Sequence, residues 1–75
     1  MFVVYGKPEC PWCDRVKDIL HGQAHTYIDL SKDDQALEYI RSQGHKTVPQ
    51  VYRYGEHIGG YEATNKFLKE NKIAD

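Results

Sequence analysis

Apolar residues fall in short, separate groups along the chain, and the spacing inside each group differs. Phe2-Val3-Val4-Tyr5 is β-branched and aromatic, and Gly6 and Pro8 follow it, which predicts a strand ending in a turn. Val16, Ile19 and Leu20 then recur at helical spacing with Asp14, Arg15, Lys17 and Asp18 between them. That pattern predicts a helix opening at Pro11, where the missing N–H is no loss, and stopping at Gly22. Thr26-Tyr27-Ile28-Asp29-Leu30 reads as a second strand. Ser31 with Asp34 three residues on has the form of a capping box, and Asp33 adds negative charge at the helix start. Ala36, Leu37 and Ile40 give the stripe of a second helix that ends at Gly44.

Val48 to Tyr54 predicts a third strand that starts at a proline, a tolerated position. Gly55-Glu56 reads as a tight turn and His57-Ile58 as a short return strand, broken by Gly59-Gly60. Tyr61, Thr64, Phe67 and Leu68 mark a last helix, basic towards its end at Lys66, Lys69 and Lys72. The order β-α-β-α-β-β-α makes the first two strands a parallel pair and the last two an antiparallel hairpin. The expected fold is α/β, a four-stranded mixed sheet flanked by three helices. Residues 1–75 are read as one domain, without linker, repeat or low-complexity segment.

Composition narrows the function. A chain of 75 residues buries only roughly 60% of its unfolded surface, so its core is thin. Formal net charge is −1 with both signs interspersed, which points away from nucleic acid and anionic membrane as partners. No segment has the form of a leader or a membrane span, and the chain is read as cytoplasmic and mature. Most of the six tyrosines are expected to be half-buried. A monomer is the default for so small a domain.

The two cysteines, Cys10 and Cys13, stand in Cys10-Pro11-Trp12-Cys13 at the junction of the first strand and first helix. As a staple they close almost no loop, so they are read as a working pair in a reducing compartment. Cys10 falls at the N-cap, where helix N–H groups and the macrodipole favour a thiolate, so its pKa should lie below the free value of about 8.5. Lys7 adds a positive neighbour, while Glu9 and Asp14 oppose it. Cys13, one turn in and less exposed, would resolve the mixed disulfide that Cys10 forms. Half a zinc site has the same spacing, and His21 and His25 could supply the other half. Only seven residues separate Cys13 from His21, against about twelve in a zinc finger, and a helix face fills that gap. No metal site is therefore expected, and His21, His25, His45 and His57 are read as surface or loop residues.

With these elements in place, three separated blocks together resemble a glutaredoxin of the compact bacterial or viral type. They are Cys10-Pro11-Trp12-Cys13, Thr47-Val48-Pro49-Gln50-Val51 and Ile58-Gly59-Gly60-Tyr61. The resemblance implies a thioredoxin-like fold and a dithiol enzyme reducing protein disulfides and glutathione mixed disulfides. Glutathione would be the co-substrate, with no bound cofactor. The resemblance also implies that Pro49 follows a cis bond facing the cysteine pair, leaving the backbone of Val48 to meet an extended substrate. Gly60, Tyr61 and Glu62 would receive the γ-glutamyl end of glutathione at the last helix N-terminus. Lys7 matches a basic position for a glutathione carboxylate, and Lys46, bordering Thr47, is a second candidate. Pro11 and Trp12 would line the same groove.

Two departures stand out. Trp12 replaces the commoner tyrosine, and Glu62-Ala63 replaces a Ser/Thr-Asp pair whose aspartate meets the α-amino group of glutathione. The second departure bears on glutathione affinity and leaves disulfide exchange untouched. It motivates an alternative, a glutaredoxin-like carrier recharged by thioredoxin reductase. Ribonucleotide reductase is a natural client of the family. A third reading, an iron–sulfur carrier bridged through Cys10 and glutathione, is disfavoured by Pro11 and the nearby Cys13.

Overall fold

The computed structural model describes residues 1–71, so Lys72, expected at the end of the last helix, lies outside the described residues. Four strands and three helices follow the expected order. They are β1 (Phe2–Gly6), α1 (Pro11–Ile19), β2 (His25–Asp29), α2 (Asp34–Ser42), β3 (Gln50–Arg53), β4 (Glu56–Gly59) and α3 (Tyr61–Asn71). The sheet runs β2-β1-β3-β4, with β1 parallel to β2 and both other pairings antiparallel.

Alternation along the strands decides what each face covers. Phe2 and Val4 of β1 join Val51 of β3 with Val16 of α1 and the α1 C-cap Leu20, and Tyr61, Phe67 and Leu68 of α3 pack against them. Tyr5 and Tyr52, one position out of phase, turn to the other face with Leu30, Ala36, Leu37 and Ile40. The sheet is thus covered by α1 and α3 on one side and α2 on the other. Of the tyrosines, Tyr5, Tyr27 and Tyr61 are half-buried as expected, Tyr52 is buried, and Tyr39 and Tyr54 are exposed.

Element ends depart from the sequence reading for local reasons. β3 starts at Gln50 instead of Val48, because Pro49 has no N–H for the ladder and Tyr5↔Gln50 is the last pair with β1. The hairpin turn is Tyr54-Gly55, closed by the Arg53↔Glu56 pair, and not Gly55-Glu56. Both turn residues have positive φ, 51° and 80°, the backbone that a two-residue hairpin needs. Ser31 does not cap α2. Asp33 does, accepting from the Ala36 N–H at 3.0 Å. Ser31 instead donates its N–H and hydroxyl to the Asp29 carboxylate, at 2.9 and 2.6 Å, and the hydroxyl bond chiefly holds that carboxyl below the usual range.

The end of α2 places a residue that matters below. Gly44 takes φ 86°, its N–H donates to Arg41 O at 2.9 Å, and the His45 N–H donates to Ile40 O at 3.2 Å. This double closure is a Schellman motif, and it turns His45 back towards the sheet. Among the described residues no helix is long and apolar enough to cross a membrane.

Thr64 of α3 is fully buried, and its hydroxyl has no partner among the described residues. A buried unpaired hydroxyl costs about 1–3 kcal/mol. Thr64→Val, which keeps the branched shape, is expected to raise the urea unfolding free energy by about 1 kcal/mol. A loss of stability would mean that the hydroxyl is satisfied in solution.

Candidate active site

β1 delivers the chain to the site. Gly6 ends the strand with no side chain, and a Cβ there would lie 2.9 Å from Cys13 Sγ and against the Tyr27 hydroxyl. That hydroxyl donates to Lys7 O at 3.2 Å and pins the turn that follows. Glu9 takes φ 58°, a left-handed backbone that directs Cys10 into the helix cap. Cys10 is the N-cap of α1: its carbonyl accepts the first helical bond from Asp14, and its Sγ accepts the Cys13 N–H at 3.1 Å. Pro11 occupies the first helical position.

Cys10 and Cys13 are joined by a disulfide, with Cα atoms 5.2 Å apart. Their exposures differ in the expected sense, 8% for Cys10 and none for Cys13, so an incoming group reaches only the first sulfur. The bond from the Cys13 N–H is the contact that would stabilise negative charge on Cys10 once the bridge opens.

Two cavities flank Thr47 and Val48. One, of about 670 Å³, is lined by Lys7, Cys10, Pro11 and Lys46. The other, of about 420 Å³, is lined by Trp12, Pro49, Gly60, Tyr61 and Glu62. Every residue expected from the sequence to bind substrate therefore lines one of two adjoining spaces beside the disulfide. The Val48–Pro49 peptide is cis. Among the described residues none bonds to the N–H or C=O of Val48, so both are available to a ligand. The two glycines of the Gly59-Gly60 pair differ in what their positions demand. Gly59 is required by φ 133° and by Ala63, 2.7 Å from a Cβ there, whereas a Cβ at Gly60 would meet only Pro49 O, at an ordinary 3.5 Å.

Sequence reasoning missed several neighbours. Trp12, 48% exposed, has the Arg15 guanidinium 4.5 Å over its ring and packs on Tyr61 at 5.4 Å between centroids. Arg41 joins Lys7 and Lys46 around the larger cavity. Arg41 sits in the last turn of α2, and only the tertiary fold brings it to the groove wall.

His45 lies in a loop and His57 is exposed, in keeping with the expectation of surface or loop residues, but the two are not isolated. His45 and His57 stack with centroids 4.3 Å apart. His45 Nε2 lies 2.8 Å from the Tyr52 hydroxyl, and His57 Nε2 lies 2.7 Å from Gln50 Oε1. Their proximity was invisible in sequence because the Schellman turn brings one ring to the hairpin strand that carries the other. His21 is exposed, and His25 contacts Gln23 O at 2.9 Å.

Desolvation pushes the His57 imidazole below its ordinary value of 6.5, and His45 pushes it the same way. The unfolded chain then takes up this proton more readily than the folded one. His57 imposes no penalty above about pH 6.5, and stability falls as pH drops through that value. Asp29, whose carboxyl is lowered by its bonds from Ser31, acts at lower pH. The urea midpoint is expected to fall between pH 7 and pH 5, and His57→Gln to flatten that slope. A slope unchanged in the variant would acquit His57.

A parallel β1-β2 pair, an antiparallel β3-β4 hairpin, a cysteine pair capping α1 and a cis proline beside it define a thioredoxin-like dithiol domain. The glutaredoxin family model matches residues 2–58. Glutaredoxin-C2 of Arabidopsis thaliana is 34% identical over 77 residues, covering 95% of this chain and 69% of that protein. A buckwheat glutaredoxin–glutathione complex superposes with TM-score 0.79 at 28% identity, over 96% of this chain and 71% of that one. NrdH-redoxin from Escherichia coli gives the same TM-score, 0.79, at 20% identity over 99% and 95%, which shows a shared fold. The chain belongs to the glutaredoxin family, and its Cys10–Cys13 pair is the redox-active centre of a thiol–disulfide oxidoreductase.

Proposed function

We propose that this glutaredoxin uses glutathione as its co-substrate and reduces both protein disulfides and glutathione mixed disulfides. The observation that carries the reading is the site's polarity: a helix-capping Cys10 reached from a groove whose basic side chains, Lys7 and Lys46, suit an anionic peptide. The glutathione bound to the buckwheat relative supports it.

In the forward direction the Cys10 thiolate attacks one sulfur of the substrate disulfide. A Cys10–substrate bond forms, the old S–S bond breaks, and the other half leaves as a thiolate. Cys13, as thiolate, then attacks Cys10 Sγ, which expels the remaining half and closes the intramolecular bridge. Two electrons have passed to the substrate. Two glutathione thiols return them: the first opens the bridge as a mixed disulfide on Cys10, and the second takes that glutathionyl group off as oxidised glutathione. Val48 would pair with the cysteinyl backbone of glutathione. Thr47 and Pro49 would frame it, and Lys7 would meet a carboxylate. The second cavity, with Trp12, Gly60, Tyr61 and Glu62, would take the γ-glutamyl end. The protein would work as a monomer in the cytoplasm, with ribonucleotide reductase among its clients.

The missing aspartate after Gly60 favours a second source of electrons, thioredoxin reductase, and the fold shared with NrdH-redoxin does not choose between them. Turnover of a glutathionylated peptide, run with glutathione and glutathione reductase and then with thioredoxin reductase, decides. Activity in the first system alone supports the proposal. Activity in the second alone replaces glutathione as the reductant.

A further inference from the structure

The stacked histidine pair adjoins the substrate groove: His45 lines the larger cavity, and the His57 bond runs to Gln50, which lines the smaller one. Gln50 follows Pro49 directly and is 8% exposed. Its Nε2 donates to Thr47 O at 3.0 Å and lies 3.4 Å from Thr47 Oγ1. A carbonyl only accepts, so the nitrogen of this amide must face Thr47. Oε1 is left for His57, and His57 Nε2 therefore carries the proton. His57 is itself held by rings: His45 at 4.3 Å and Tyr52 at 5.0 Å, with His45 tied to the Tyr52 hydroxyl.

We propose that His57 and Gln50 are positioning residues that fix the Thr47-Val48-Pro49 loop through the relay His57 Nε2–H to Gln50 Oε1 and Gln50 Nε2–H to Thr47 O. Clamping Thr47 O sets the plane of the Thr47–Val48 peptide, and with it the direction in which the Val48 N–H points. Neither residue touches the sulfurs. The relay acts on how well an extended substrate backbone is met and leaves the exchange step alone. His45 contributes by stacking, because a ring free to turn would lose the aim of its Nε2–H. The inference rests on the reading that Val48 pairs with substrate backbone, which holds for glutathione and for a client polypeptide alike.

Steady-state kinetics on His57→Leu, Gln50→Leu, the double variant and His57→Gln test it, with a glutathionylated peptide and a protein disulfide as parallel substrates. Each Leu variant is expected to raise KM about fivefold, the worth of one such hydrogen bond. Saturated turnover and the alkylation rate of Cys10 should stay as in the parent. The double variant should be no worse than Gln50→Leu, because a relay broken once is broken. His57→Gln puts an amide N–H where Nε2–H was and should restore the parent KM. If Gln50→Leu does not fold, the two His57 variants carry the comparison.

Unchanged KM on both substrates, strictly additive effects, or a failed rescue by His57→Gln would overturn the relay. Should the protein turn over the protein disulfide and ignore the glutathionylated peptide, the glutathione reading falls, and the KM shifts on the protein disulfide still decide the relay.

Discussion

Cys10→Ser is expected to lose all exchange activity, while Cys13→Ser keeps the removal of glutathione from mixed disulfides and loses the reduction of protein disulfides. The asymmetry follows from access and capping. Only Cys10 reaches the surface, and only its sulfur receives the Cys13 N–H at 3.1 Å. A serine hydroxyl in its place, with a pKa far above neutral, offers no comparable nucleophile. Cys13 is fully buried, so its one accessible target is Cys10 Sγ. In a glutathionylated intermediate a second glutathione can do that work from solvent. In a mixed disulfide with a large client it must compete with the client's own bulk, and the complex stalls. Turnover of both substrate types by both variants measures this, and the trapped Cys10–client adduct should be visible on a non-reducing gel. Full activity in Cys10→Ser would contradict the assignment of the attacking sulfur.

Gly6→Ala is expected to destabilise the oxidised protein by about 1–3 kcal/mol, the usual range for overpacking a filled site. The added methyl would stand 2.9 Å from Cys13 Sγ and against the Tyr27 hydroxyl. Tyr27 can yield by giving up its bond to Lys7 O, but Cys13 is anchored one turn into α1 and is part of the bridge. The strain therefore falls on the pair's geometry as well as on the fold. Urea denaturation of oxidised and reduced protein should show the larger loss in the oxidised form, where Cys13 Sγ is tethered to Cys10 and has less freedom to turn away. Equal stability to the parent in both forms would mean that the strand end moves freely.

The cysteine pair and Gly6 also show what could be read from the chain and what could not. The cysteine pair was legible because its chemistry is local: strand, turn, Pro11 and the cap fall within a few residues. The topology was legible because the order of elements left few alternatives, whereas the sheet faces were not, since Phe2, Val3, Val4 and Tyr5 form one unbroken apolar run. The groove wall, Thr47-Val48-Pro49, came from resemblance, since nothing in Val-Pro by itself distinguishes a cis bond from a strand start. Gly6 read only as the end of a strand, because its demand comes from Tyr27 and Cys13, distant in sequence or on another element. The His45–His57 stack was illegible for the same reason: a Schellman turn and a hairpin meet in space, and neither histidine carries a local sign of it. The Ser31 cap failed where two acceptable caps lay two residues apart. Asp29 claimed the serine, and Asp33 took the helix.

The measurement that goes most directly to the heart of the mechanism is alkylation of the reduced protein by iodoacetamide across a pH series, with the modified cysteine identified by mass. The predicted result is half-maximal reactivity at Cys10 clearly below the free-thiol value of about 8.5, no reaction at Cys13, and an intramolecular Cys10–Cys13 bridge on mild oxidation. Ionisation at Cys10 no easier than in a free thiol, with no such bridge, would contradict it.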